Sequence, residues 1–270
     1  LAPIVDDDGE VTGILGIGRD ITELMNTSLA LKEKNLALEQ ANHDLDSLMY
    51  HAAHDLRAPL NSLMGLIEVM RQEDDMEQMR RYLDVQAAKI QRLDTFIQDI
   101  VNLSKNSQEG ITLSEIDLEH LFFTTVEQFR FLPGAAKMHF DYAASGSVVL
   151  RSDAFRLSMV LSNLISNAVR YHDPAKEAPS LRMIVYIDPD KAILRLQDNG
   201  LGIAHEHLDR IFEMFYRASK SPQGSGIGLY IAKETLQKIG GTMQVESELG
   251  QGTTFVIELP NHLTSTPSSN

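Results

Sequence analysis

A heptad of apolar residues over the first quarter of the chain constrains the fold most. Leu24, Leu31, Leu38, Leu45 and Ala52 recur every seventh residue, and Leu56, Leu60, Leu63, Ile67 and Met70 continue the stripe at intervals of four and three. Such spacing describes a helix that buries one seam against partner helices. His54 lies two residues from both Ala52 and Leu56. At ~100° per residue it sits about 200° around the helix from each, facing water rather than the seam. His51 flanks Leu48 and Ala52 and lies nearer the seam.

A solvent-facing histidine followed by Asp55 suits nucleophilic work. Neutral imidazole, with an ordinary pKa of about 6.5, offers one nitrogen lone pair at neutral pH. Asp55 can take the other nitrogen's proton and stabilise charge developing on the ring. An exposed His-Asp pair is equally what a merely solvated face looks like. Pro59 cannot donate to the carbonyl of Asp55 and clashes with it, so a bend is expected one turn past the histidine. The full string HDLRAPL, within residues 51–63, closely resembles the phospho-acceptor box of sensor histidine kinases.

The seam positions four residues after the early leucines are Ser28, Asn35, Asn42 and Met49. Polar residues there weaken a coiled coil, and they also suit a linker poised between two packings that transmits a signal. Both readings stand for 23–50. A charged break at 71–76 separates a second helix at 77–104, whose apolar face includes Tyr82, Val85, Ile90, Leu93, Phe96, Ile97, Ile100 and Leu103. Two antiparallel helices enclose little core, whereas two copies form a four-helix bundle, so residues 51–104 predict a homodimer. Residues 105–112 read as a polar linker.

At the start, Asp8-Gly9 is a hairpin signal. The GIGRDIT string at 16–22 is similar to the end of a PAS sensor domain, which makes 1–22 either that remnant or a generic hairpin leader. Residues 113–260 alternate helix patterns (118–131, 153–171, 206–212, 228–239) with strand patterns (113–117, 139–142, 147–150, 181–187, 192–198, 242–247, 253–259). That alternation predicts an α/β sandwich. The polar tail 261–270 is expected to be disordered. The fold class is therefore multidomain: an all-α antiparallel hairpin in a dimeric four-helix bundle, then an α/β sandwich.

Four motifs in the second domain carry chemistry. In LSNLISNAVRYH (161–172), Asn163, Asn167 and the pair Arg170/Tyr171 share one helix face, and Leu161, Leu164, Ile165 and Ala168 take the other. Amide oxygens on such a helix suit a hard Mg²⁺ that keeps waters and phosphate oxygens, although two such residues can also simply face solvent. In LQDNGLGI (196–203) a strand ends in Asp198, which can accept a hydrogen bond from an amino group, and Gly200 and Gly202 allow close backbone approach. GSGIGLYIAKE (224–234) leads glycines into a helix N-terminus, which favours phosphate. GQGTTF (250–255) is by itself only a turn into a strand.

Charge and composition narrow the partners. The 270 residues carry a net charge of −14, which argues against nucleic acid and requires any phosphate to be held locally. Absence of cysteine excludes disulfides and thiol chemistry and fits a cytoplasmic protein. No run of ~18 apolar residues is present, so membrane contact would come only through other segments. The chain opens at Leu1 on a strand-like stretch and reads as a fragment of something longer, soluble or anchored.

In this order the four motifs resemble the asparagine box and three glycine boxes of the ATP-binding domain shared by histidine kinases, gyrase-type ATPases and mismatch-repair ATPases, with a Bergerat-type fold. IFEMFYRA (211–218) resembles the phenylalanine box of histidine kinases, with Met214 where proline is usual. The resemblance implies an ATP-dependent protein-histidine kinase with ATP and Mg²⁺ as cofactors. It implies Mg²⁺ on Asn167 and Asn163, Arg170 near the phosphates, Tyr171 on the adenine and Asp198 on the adenine amino group. Gly200, Gly202, Ile203, Gly224, Gly226, Ile227, Gly228 and Leu229 would shape the nucleotide loops. Phe215, Arg217 and Lys220 would belong to a lid over the nucleotide, with Thr254 near the base. His54 would take the γ-phosphoryl group with Asp55 as general base. A response-regulator receiver would then accept it on an aspartate. The alternatives are a dimeric signalling scaffold impaired in catalysis and a gyrase- or mismatch-repair-like ATPase, which would lack HDLRAPL.

One position departs from the family. Many members have Thr or Asn four residues after the histidine, where it orients water for dephosphorylating the partner; here stands Ala58. Weak phosphatase activity is expected, measured as phosphoryl loss from a phosphorylated receiver. Fast, ATP-independent loss that depends on Asn61 rather than His54 would contradict this.

Overall fold

The structure is a computed structural model. It describes residues 2–5, 7–9, 11–15, 20–108, 110–146, 149–218 and 226–262, with the side chains of 2–5, 11–12, 14–15, 24, 37, 40–55, 92 and 107–108 outside the description. The chain divides into two compact units, Leu1–Ser62 and Leu63–Asn270.

The first unit holds an antiparallel hairpin, β1 (Ala2–Val5) and β2 (Val11–Leu15), with Asp8-Gly9 in its turn and Gly9 at φ 83°. Most of the 16–22 motif lies outside the described residues. Helix α1 (Thr22–Met70) follows and crosses into the second unit, continuous through Pro59. The next helix, α2 (Met76–Gln108), starts where Asp75 Oδ1 accepts from the Glu77 N–H at 2.9 Å. It runs four residues beyond the expected end, into the stretch read as a linker, and Asn106 is buried there. Leu83, Val85, Ile90 and Ile97 of α2, with Met64 and Ile67 of α1, remain exposed on the single chain. Among the described residues no helix is long and apolar enough to cross a membrane.

The remainder is an α/β layer. A small antiparallel pair, β3 (Ser114–Ile116) and β5 (Leu150–Ser152), flanks the main sheet. The sheet order is β4 (His139–Ser145), β6 (Ser180–Ile187), β7 (Lys191–Asp198), β9 (Gly252–Pro260) and β8 (Thr242–Glu248), with only β4/β6 parallel. Alternation sets the two faces. Leu181, Met183 and Val185 of β6, Ala192, Leu194 and Leu196 of β7, and Phe255, Ile257 and Leu259 of β9 are buried, while Arg182, Ile184 and Tyr186 are exposed.

Helices α3 (Leu118–Gln128), α4 (Ala154–Arg170) and α5 (Gly228–Lys238) contribute to the core that covers the inner face. Asp117 and Asp153 cap α3 and α4, each accepting from the N–H three residues on. The helix expected at 206–212 is instead a 3₁₀ turn, His205–His207, followed by further turns. Its apolar residues still reach the core, but mostly i→i+3 bonds, with a single i→i+4 bond from Ile211 to His207 among those between described residues, stand where a helical ladder was expected.

The tail expected to be disordered begins with a fixed residue. Asn261 is buried: Oδ1 accepts from the Arg151 N–H at 2.9 Å, and Nδ2 donates to the carbonyls of Val149 at 3.2 Å and Asp188 at 3.0 Å. Residues from 263 onward lie outside the description. Asn261→Ala leaves three backbone groups without this partner and is expected to destabilise by about 2 kcal/mol, a loss of about 5 °C in a thermal melt.

Candidate functional site

A cavity of about 500 Å³ opens in the second unit, bounded by α4, the end of β7, segment 202–218, the start of α5 and one face of α2. The α4 helix serves both the core and this cavity. Leu157, Val160, Leu161, Leu164, Ile165, Ala168 and Val169 are buried, and Ser162, Asn163, Asn167 and Arg170 line the cavity. Asn163 donates from Nδ2 to the Met159 carbonyl at 2.9 Å, which leaves its Oδ1 as the outward atom. That oxygen faces the first turn of α5: a Cβ on Gly228 would lie 2.6 Å from it, so the position tolerates only glycine without a shift.

The N-cap position of α5 is Ile227, whose own side chain makes no capping hydrogen bond. The N–H groups and the dipole at a helix start favour an anion. Among the described residues no three His, Asp or Glu side chains gather as a metal site. The outward Oδ1 of Asn163 is an oxygen of the kind a hard cation takes as a ligand.

At the far wall, Asp198 ends β7. Its Oδ1 accepts from the Gly200 N–H at 2.8 Å and the Thr253 N–H at 3.2 Å. Burial pushes the carboxyl above the ordinary range, opposed by those two bonds and by the charge of Lys176. Its hydrogen bonds among the described residues engage Oδ1, which leaves Oδ2 as an acceptor for a ligand's amino group. Ile203, Ile211, Leu229 and Phe255 add apolar surface suited to a flat ring. Gly202, at φ 68°, packs against the Glu248 carbonyl so closely that any Cβ would collide.

Segment 205–218 is held by its own contacts. Tyr216 Oη and His207 Nδ1 are 2.7 Å apart, and the Arg210 guanidinium lies 4.2 Å over the Tyr216 ring. Phe215 adopts φ 65°, and its N–H donates to the Gly226 carbonyl at 2.9 Å. A left-handed non-glycine residue costs about 1 kcal/mol or more, and such strain clusters at functional sites.

Of the residues expected from sequence, Asn163, Asn167, Arg170, Tyr171, Asp198, Gly202, Ile203, Arg217, Gly226, Gly228 and Leu229 line this one cavity. Gly200, Phe215 and Ile227 stand behind its wall: Gly200 supplies an N–H to Asp198, and Ile227 is fully buried. Thr254 is on the opposite face of the sheet, paired with Gln197 and Glu246; the neighbouring Thr253 lines the cavity. Strand alternation decides this, since Phe255 and Ile257 are inward and Thr253 shares their face. Lys220 and Gly224 lie outside the described residues. His54 and Asp55 lie within α1, and their side chains are outside the description. Tyr216 and a polar face of α2 also line the cavity and were not foreseen. On α2 the signal was present as Asp94, Gln98 and Asn102 at four-residue spacing.

Comparison with known proteins bears on both parts of the chain. Residues 44–109 match the His Kinase A (phospho-acceptor) domain, and residues 152–263 match the histidine kinase-, DNA gyrase B- and HSP90-like ATPase family. Autoinducer 2 sensor kinase/phosphatase LuxQ of Vibrio parahaemolyticus is 28% identical over 271 residues, covering 94% of this chain and 31% of that protein. The chain spans about a third of the length of the curated relatives it matches first. Among solved structures, full-length ShkA in complex with AMPPNP aligns with TM-score 0.55 and 25% identity over 77% of this chain and 44% of that one. The histidine kinase ThkA in complex with response regulator protein TrrA aligns with TM-score 0.64 and 21% identity over 96% of this chain and 73% of that one.

Asp198→Asn separates charge from shape at the far wall. Asparagine still accepts from Gly200 and Thr253 but removes the desolvated charge. The folded-state pKa of Asp198 is raised, so its contribution to stability is full at low pH and is lost as pH rises through that pKa. The variant should melt higher than the parent at pH 8, with the difference vanishing as pH falls through the raised pKa. A difference that instead grows toward acid would contradict the burial argument.

Proposed function

The chain belongs to the sensor histidine kinases, and we propose that it transfers the γ-phosphoryl group of ATP to His54 and thence to an aspartate of a response-regulator receiver. One arrangement carries the reading. A single cavity gathers an amide oxygen aimed at a helix start, two arginines and, on the far wall, a half-buried carboxylate. ATP has the matching parts: a triphosphate for the first end and an amino-bearing flat ring for the second. The nucleotide analogue bound to ShkA supports ATP as donor, and the ThkA–TrrA complex supports a receiver as acceptor. ATP as donor sets the reaction in the cytoplasm.

The chemistry asks for positioning and charge neutralisation more than for covalent catalysis. Asp198 Oδ2 accepts from the adenine amino group, and Tyr171 and Ile203 pack on the ring. The α5 N–H groups, Arg170 and Arg217 hold the phosphates. Asn163 and Asn167 would hold Mg²⁺, which neutralises charge on the phosphate oxygens when bound. A ring nitrogen of His54 attacks the γ-phosphorus, the N–P bond forms as the bond to the bridging oxygen breaks, and ADP leaves. Asp55 takes the proton from the other ring nitrogen. The apolar side chains left exposed on α1 and α2 support a homodimer, in which two hairpins complete one bundle.

Incubation with γ-labelled ATP and Mg²⁺ tests the assignment. Label should appear on the protein, survive alkali and be lost in acid. His54→Gln should abolish it and His51→Gln should leave it. Label that persists in His54→Gln would place the acceptor elsewhere.

A further inference from the structure

The end of α2 is built into the ATP-binding layer through a side chain that the reaction above does not use. Arg156, in the first turn of α4, is 1% exposed. Its Nε donates to Asn106 Oδ1 at 3.0 Å, one terminal nitrogen donates to Asp153 Oδ2 at 2.6 Å and to the Gly110 carbonyl at 3.0 Å, and the other donates to the Asn106 carbonyl at 3.3 Å. Asp153 Oδ2 also accepts from the Thr112 N–H at 3.0 Å. Lys238, in the last turn of α5, donates to the same Asn106 carbonyl. One guanidinium therefore ties together the last turns of α2, the connecting residues and the first turn of the helix that carries Asn163 and Asn167.

The same face of α2 continues upstream. Asp94, Gln98 and Asn102 precede Asn106 at four-residue steps, so the four share one side of the helix. The first three line the cavity, opposite Phe155, Met159 and Ser162 of α4. This polar stripe is thus the face of α2 turned toward the ATP-binding layer, and the Arg156 latch lies at its C-terminal end.

We infer that Arg156 and Asn106 are positioning residues: the latch fixes how the ATP-binding layer is carried by α2, and so sets the geometry in which bound nucleotide meets the phospho-acceptor hairpin. The inference rests on the kinase reading. Neither residue is asked to touch nucleotide. Removing the latch should free the connection while leaving the nucleotide-holding residues in place. A freely tethered layer samples productive geometry less often, and small misplacements of reacting groups are costly in rate.

The test uses the full chain with Asn106→Ala and Asn106→Asp. The aspartate still accepts from Arg156 Nε, whereas alanine loses that bond and holds Arg156 and Lys238 through its main-chain carbonyl alone, which loosens the latch. Affinity for Mg-AMPPNP is measured by calorimetry, the rate of histidine labelling at saturating ATP, and tryptic cleavage after the exposed Lys105, next to the latch. In Asn106→Ala, cleavage should quicken, affinity should stay within about twofold, and labelling should slow by about tenfold with KM for ATP unchanged. Asn106→Asp should restore the parent's labelling and cleavage. Faster cleavage with undiminished or increased labelling overturns the proposal. So does a parallel fall of affinity, labelling and melting temperature that Asn106→Asp fails to rescue, which would make the contact packing alone. A parent chain that never labels overturns the kinase reading and this inference together, an outcome distinct from both of these.

Discussion

The ion pair between Arg156 and Asp153 fixes the first turn of α4, and α4 carries half of the site. Both side chains are almost wholly buried, at 1% and 3% exposure. Desolvating two such charges costs several kcal/mol per ion, and attraction alone does not reliably offset it. Here each charge is also hydrogen-bonded on several sides. Burial pushes the Asp153 carboxyl up, yet the N–H groups of Arg156 and Thr112 and the guanidinium outweigh it and hold the carboxyl below its ordinary range. The pair also caps the helix. Once the first turn is set, Asn163 follows about 10 Å along a rigid rod, at 1.5 Å per residue, and Asn167 one turn further.

Other parts of the site are held in states that a stable fold alone would not select. Asp198 is a partly desolvated carboxyl, the α5 N-cap position holds isoleucine rather than a residue able to cap, and Phe215 sits at φ 65°. Each is a small local cost, tolerated because the surrounding sheet and α4 are well packed. Each also matches a part of one ligand: an amino group for the carboxyl, phosphate for the helix start, and an ordered turn for the segment that borders both. The costs coincide in a single cavity, which separates this arrangement from scattered imperfections of packing.

Much of this was legible in the sequence because two periodicities govern it. The 3.6-residue repeat put Asn163 and Asn167 on one face of α4 and the leucines on the other, and both faces are occupied as expected. The errors arise where local pattern leaves more than one answer. Thr253 and Thr254 are chemically alike, and only strand phase, fixed by Phe255 and Ile257 facing the core, decides which one reaches the cavity. Apolar spacing at 206–212 satisfies a helix and a chain of 3₁₀ turns equally, and tertiary contacts chose the turns. Residues 105–108 look like a linker because they are polar. They are helical because Asn106 meets Arg156 from fifty positions away, a partner no local window contains.

Net charge illustrates the same point about locality. At −14 the chain should repel a triphosphate, judged as a whole. In physiological salt the screening length is about 8 Å, so acids on distant surfaces contribute little within the cavity. Nearby groups and their placement decide instead: Arg170, Arg217 and the N-terminal dipole of α5 border the cavity, as do the carboxyls of Asp94, Asp99 and Asp198, so an anion is held only where the donors gather. Backbone N–H groups donate without adding a titratable group. An acidic protein can therefore hold an anion at one helix start, provided that the residue facing it is glycine and the amide opposite is oriented by a bond such as that from Asn163 to Met159. Changing bulk charge would leave that arrangement standing, whereas a single methyl group on Gly228 would push Asn163 out of it.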